Sequence, residues 1–178
     1  MIIKYPDDKN LLKEIKAGDV ISFTGTIYTA RDAAHMRIEQ MINNNEALPI
    51  DFSDSFIYYA GPTPTKPNMT VGSIGPTTSS RMDRFAYMMP RLNVLGTIGK
   101  GPRDNECTQF YIDNKILYFI TTGGCGALLS KAVKKCEEIA FKDLGPESIK
   151  RLEVENFTMI CAIDYHQNNI FGRKKNGN

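Results

Sequence analysis

Short runs rich in β-branched and aromatic residues alternate with segments of helical period along almost the whole chain. That alternation restricts the fold more than any other feature, because strands interleaved with helices bury their apolar faces as layers of an α/β domain with a mixed sheet. Asp8–Lys16 carries Leu11, Leu12 and Ile15 at helical spacing and predicts a short amphipathic helix. AGDVISFTGTIYT predicts a strand or hairpin, and ARDAAHMRIEQMINNNEA a helix whose apolar face is Ala33, Met36, Ile38, Met41 and Ile42. Phe56–Gly61 predicts a short buried strand, followed by the proline-broken loop PTPTKPN. After the turn GSIGP, Thr77 to Ser80 offer helix N-caps, and Met82, Phe85, Met88 and Met89 predict an amphipathic helix. NVLGTIGKG and KILYFITTGG predict strands, DNECTQFYIDNK and GALLSKAVKK helices, and CEEIAFKDL with IKRLEVENFTMICAIDYHQNN further short strands. At 178 residues the chain is expected to form one domain over 1–178, with 170–178 as a polar tail.

Charge and cysteine arithmetic excludes several classes. Twenty-two Lys+Arg against 20 Asp+Glu leave a net charge of +2, too little basic excess for a nucleic-acid coat or a membrane-surface binder. Cys107, Cys125, Cys136 and Cys161 are 18, 11 and 25 residues apart, with no CxxC and no zinc-finger pairing to His35 or His166. No metal is therefore expected on this chain alone. The N-terminal segment lacks a signal-peptide apolar core, no run is long enough to span a membrane, and four unpatterned cysteines suit a reducing compartment, so a cytoplasmic location is expected.

Three stretches rich in glycine or small residues each carry a cation: YTARDAAH with Arg31, GPTTSSRMD with Arg81, and IGKG with Lys100. Each sits where a strand gives way to a loop or helix, and free backbone N–H groups there favour negative charge. Arg presents a fork that matches a carboxylate, and the glycines beside Lys100 let a ligand approach the backbone. Converging, the three would neutralise a small dianion. Each also has a plainer reading: Arg31–Asp32 as a solvated helix start, GPTTSS as a turn plus cap, Lys100 as a surface turn. Thr77–Thr78 is more hydroxyl than a cap needs, and a threonine serves as a base only where cations stabilise its alkoxide. His35, one helical turn after Arg31, could meet a substrate, orient Asp32 or be purely structural. His166 reads as a turn residue, Cys125 as a small buried residue, and Arg173–Lys175 as a solvated terminus. Neither GxxxxGK[ST] nor GxGxxG occurs.

In their order, GDVISFTGTIYTARDAAHMR, LPIDFSDSFIYYAGPTP, VGSIGPTTSSRMDRF, IGKG, TTGGCGALLSKAV and AIDYHQNN resemble the β subunit, or C-terminal domain, of class I iron–sulfur fumarases and L(+)-tartrate dehydratases. The likeness runs from about Gly18 to Asn169, with departures at Met36 and Ser80 that touch none of the implied contacts. The wording of the first motif leans towards the fumarases. The resemblance implies a compact swivelling β/β/α domain with a mixed sheet flanked by helices. It implies that Arg31, Thr78, Arg81 and Lys100 bind the carboxylates of fumarate or malate, that Thr77 is the catalytic base, and that Asp32 and His35 support them. It further implies a partner α subunit whose cysteines hold a [4Fe–4S] cluster, activity only in that complex, and a dimer of αβ pairs. Fixed cations facing a carboxylate that gains charge as a C3 proton leaves would stabilise the transition state. Two rivals stand beside fumarate hydration: the same assembly acting on L-tartrate or another hydroxy-dicarboxylate, and a non-catalytic anion-binding domain.

Overall fold

The computed structural model describes residues 1–65, 67–122 and 124–172. Lys66 of the proline loop, Gly123 of the glycine turn and the Arg173–Lys175 terminus lie outside the described residues. Seven strands form one mixed sheet: β1 (Ile2–Lys4), β2 (Val20–Thr29), β3 (Phe56–Tyr58), β4 (Gly96–Gly99), β5 (Leu117–Ile120), β6 (Val133–Ala140) and β7 (Ile149–Ile163). Strands β2 to β5 run parallel as neighbours, and β7 pairs antiparallel with both β5 and β2. Those pairings close β2-β3-β4-β5-β7 into a five-stranded barrel, with β1 along β2 and β6 along β7 outside it.

The period of two in each strand sorts side chains between two cores. Ile21, Phe23 and Ile27 of β2, Phe56 and Tyr58 of β3, Ile98, Leu117, Phe119, Leu152, Val154 and Phe157 form one buried cluster inside the barrel. Ile57 and Tyr59 point the other way and pack with Ala34, Ile38, Met82, Phe85, Met88 and Met89 under the outer helices. Gly25 marks the β2 bulge. A Cβ there would come within 2.8 Å of the Tyr5 carbonyl oxygen, and its φ of +154° suits glycine.

Helices α1 (Asp32–Asn43), α2 (Met88–Arg91), α3 (Asn105–Asp113) and α4 (Gly126–Ala132) flank the sheet, joined by 3-10 turns at Lys9–Lys13, Ser79–Phe85 and Lys142–Glu147. Asp104 caps α3 by accepting the Cys107 N–H at 2.6 Å. Four expectations need correcting. The helix expected over Met82–Met89 is a 3-10 turn followed by the four-residue α2. Its first carbonyl, that of Ser79, accepts from Arg103 instead of serving an α-helical ladder, and Pro90 lies inside the short α2. None of Thr77 to Ser80 caps with its side chain, since Thr78 at the cap position makes no such bond. In α1 the buried stripe is Ala34, His35 and Ile38, while Met36 is exposed. The last segment is also longer than expected, because β7 runs for 15 residues, as it must to reach both ends of the seam. Among the described residues no helix is long and apolar enough to cross a membrane.

Phe157 is fully buried in β7, opposite Phe23, with its ring edge-on to Tyr58 at 5.4 Å between centroids. Truncation to Ala opens a cavity at the seam and is expected to cost about 3–5 kcal/mol in urea unfolding.

Candidate active site

The carboxyl ends of parallel strands gather loops on one rim of the barrel, and the expected site residues lie there. Strand β2 ends at Thr29 and leads through Ala30 to Arg31, the N-cap residue of α1. Strand β4 ends at Gly99, next to Lys100. Between them, beyond the end of β3, residues 76–78 lead up to the 3-10 turn, with Thr78 extended. Ala60 bridges Pro76, the Thr77 N–H donates to the Tyr59 carbonyl at 2.7 Å, and Thr78 bridges Lys100. The Ser79 N–H then donates to the Lys100 carbonyl at 3.0 Å. Thr77, Thr78 and Lys100 are thus brought together by backbone pairing. The loop after β5 walls the other side: the Thr121 N–H donates to Gly99, and the Ile74 N–H to Gly126. Glycine is required at 126, where a Cβ would meet the Gly75 nitrogen at 2.8 Å. Cys125 in this loop is half-buried.

The 3-10 turn that starts after Thr78 carries Arg81 towards α1. Arg81 Nε donates to Asp32 Oδ1 at 3.1 Å and its NH2 stands 3.0 Å from Asp32 Oδ2. Arg31 NH2 lies 3.9 Å from that same Oδ2 and 3.5 Å from Glu147 Oε1. One carboxylate therefore sits between two guanidinium groups, and Glu147 is a second anion beside Arg31. The other oxygen of Glu147 accepts the Ala33 N–H at 2.9 Å, so this residue supplies the helix cap that Arg31 itself does not. Arg31 Nε is buried without an acceptor. Thr78 and Arg81 face solvent, Arg81 with 52% of its side chain exposed, so this rim is an open half-site. A cavity of about 490 Å³ takes Ser80, Arg81 and Arg84 into its wall but not Arg31, Thr77 or Lys100.

His35 lies beneath this cluster, fully buried between Tyr59 and Phe85. Its Nδ1 is 2.8 Å from the Arg31 carbonyl, which only accepts, so Nδ1 carries the hydrogen and Nε2 is a bare, unpartnered nitrogen. The ring thus contacts the backbone of Arg31. Burial, with the nearby Arg103 charge, lowers its pKa to about 4 against the partial restoring effect of that hydrogen bond. His166 is exposed, with Nε2 at 2.9 Å from the Lys13 carbonyl, and Asp164 ties its loop by accepting from Ala17, His166 and Asn168.

Sequence reasoning passed over Arg103, a guanidinium buried directly behind the rim. Its NH1 donates to Asp83 Oδ1 at 2.6 Å and to the Ser79 carbonyl at 3.2 Å. Its NH2 faces Tyr59 Oη, Thr97 Oγ1 and Tyr111 Oη at 2.7, 3.0 and 2.6 Å. Three tyrosine rings, Tyr59, Tyr111 and Tyr118, surround the charge at 4.6–5.1 Å. An arginine among turn residues in GKGPRDN carries no periodic signal of burial. The tyrosines just after β3 and on α3 and β5 that receive it come together only in the fold.

The four cysteines are free, and no group of three or more His, Cys, Asp or Glu side chains is arranged to hold a metal ion among the described residues. Burial pushes the Cys107 and Cys161 thiols up to about 12.

A family model described as Fumarase C-terminus matches residues 3–174. A protein of Methanocaldococcus jannaschii named "Putative L(+)-tartrate dehydratase subunit beta" is 42% identical over 169 residues, covering 92% of this chain and 87% of the relative. The L(+)-tartrate dehydratase subunit beta of Escherichia coli is 34% identical over 183 residues, with 98% and 88% covered. Fumarate hydratase 2 of Leishmania major is 34% identical over 175 residues; 96% of this chain aligns, but only 31% of that longer protein. The lean of the first motif towards fumarases has no counterpart in these identities.

The His35 shift predicts a pH-dependent stability. The unfolded histidine binds its proton near pH 6.5 and the folded one only near pH 4, so the unfolded state gains protons first as pH falls. About 3 kcal/mol of unfolding free energy should be lost across that window. His35→Asn, which cannot titrate there, should flatten this part of the profile in urea unfolding measured from pH 7.5 to 4.

Proposed function

The chain belongs to the fumarase C-terminal family, and from that premise we propose that it is the β subunit of a hydro-lyase that reversibly hydrates fumarate to (S)-malate. The observation that supports this reading most is that the ends of the parallel strands bring Arg31 and Arg81 together about Asp32 and, by backbone pairing, Thr77 and Thr78 beside Lys100. Dicarboxylates carry two negative charges, and in this reading Lys100 would add a third cation to the two guanidinium groups. In the proposed roles Arg31, Arg81 and Lys100 bind the substrate carboxylates, and Thr78 donates a hydrogen bond beside Lys100. In the malate-to-fumarate direction Thr77, as the alkoxide that the neighbouring cations favour, takes the C3 proton and becomes the neutral hydroxyl, which returns that proton to carbon in the hydration direction. Negative charge then grows on the adjacent carboxylate, where cations fixed before the reaction stabilise it without reorganising. Asp32 keeps Arg31 and Arg81 at a set separation, and His35 holds the Arg31 backbone from below.

In this reading a partner α subunit holds a [4Fe–4S] cluster, which would supply the Lewis acid for the leaving hydroxyl. The exposed half of the rim is the face such a partner would cover, in a cytoplasmic complex of αβ pairs. L(+)-tartrate is the second reading, favoured by the 42% identity to a protein named for that activity.

Reconstitution with a cluster-bearing α subunit under anaerobic conditions tests both. Malate and fumarate turnover well above that of L-tartrate is expected, and the reverse preference would install the second reading. Thr77→Ala should lower kcat by about 10²–10⁴-fold with a smaller change in KM. Full activity in that variant would remove Thr77 as the base. Arg81→Met should act chiefly by raising KM.

A further inference from the structure

Behind the rim, Ser79 and Arg103 form a device that the proposed roles do not use. Ser79 is fully buried and is held at three points. Its N–H donates to the Lys100 carbonyl, its carbonyl accepts from Arg103 NH1, and its Oγ accepts the Lys100 N–H at 3.1 Å. Tyr118 Oη lies 2.7 Å from Ser79 Oγ and 2.6 Å from the Gly101 carbonyl. A carbonyl can only accept, so the one tyrosine proton goes to Gly101 and the serine hydroxyl donates to Tyr118 Oη. The bonds thus run in one direction from the Lys100 amide through Ser79 and Tyr118 to Gly101, and fasten the residues on both sides of Lys100.

Arg103 locks the other side. It holds the Ser79 carbonyl, and it holds the Tyr59 hydroxyl while the Tyr59 backbone carbonyl receives the Thr77 N–H. Asp83, which neutralises Arg103, also accepts the Asp104 N–H at 2.9 Å through its second oxygen. The space is filled to contact: a Cβ at Gly99 would run into Ser79 Oγ and would stand 3.0 Å from the Tyr59 ring.

We propose that Arg103 and Ser79 are positioning residues that set the spacing of Thr77 and Thr78 from Lys100. This rests on the reading of those three as catalytic and binding groups. Neither positioning side chain reaches the open rim, so each acts only through the groups it holds. Lysine at 103 keeps the charge but cannot offer two N–H forks at once, and alanine at 79 keeps the backbone pairing but breaks the hydroxyl chain.

Two measurements on Ser79→Ala and Arg103→Lys test this. Ser79→Ala removes one atom and keeps the question open if Arg103→Lys does not fold. In amide hydrogen exchange of the chain, the Thr77, Ser79 and Lys100 amides should exchange at least about tenfold faster than in the parent, with β7 amides little changed. Unchanged exchange at those three amides, or equal acceleration along β7, overturns the proposal. In the reconstituted complex, kcat should fall about 10–100-fold, and the KM for the dicarboxylate should rise with it, because Lys100 and the turn that carries Arg81 are held by these same residues. An unchanged kcat also overturns it. A parent complex that hydrates no dicarboxylate would instead refute the proposed function, and the exchange comparison would still decide the positioning role.

Discussion

Everything on the rim depends on one strand pairing with two others. Four parallel strands alone would leave β2 and β5 as open edges with unpaired amides, a costly arrangement in a small domain. Antiparallel to both, β7 closes the seam, and its 15 residues are long enough to pair with β5, β2 and the outer β6. Closure leaves the parallel strands no freedom to splay. Their carboxyl ends therefore sit at fixed separations, and Arg31, Thr77 and Lys100 inherit those separations from the barrel.

Much of this was legible in the sequence because it is local. Period-two alternation in FIYYAG places Phe56 and Tyr58 on one face and Ile57 and Tyr59 on the other. The helix read over DNECTQFYIDNK is α3. The cations of ARDAAH, GPTTSSR and GKG stand out because small residues surround them. What failed was non-local. Glu147 caps α1 from 114 residues away, and nothing around Ala33 announces it. The turn at Ser79–Phe85 has good helical spacing of apolar residues, yet it is 3-10 because a buried arginine from beyond β4 claims its first carbonyl. Propensity describes what a segment does alone, and here tertiary hydrogen bonds outweighed it.

The burial of Arg103 also shows how polar cost is managed in this domain. A charge in the interior is tolerable only when paired and hydrogen-bonded, and Asp83 with three hydroxyl groups meets that condition at the two terminal nitrogens of Arg103, while its Nε is left without a partner. The rim takes the opposite course. Its arginines remain partly in water, where their mutual repulsion is screened and Asp32 needs to offset only part of it.

The exposed polar connection between β6 and β7 would ordinarily be free to change length, as surface loops are. Glu147 removes that freedom. Its two oxygens reach Arg31 and the first turn of α1, and Ser148 follows at once into β7. One residue more or less shifts the chain by about 3.5 Å, more than a hydrogen bond tolerates. The connection works as a gauge block, a part whose dimension matters more than its surface, and descendants of this sequence can vary its exposed side chains far more freely than its length.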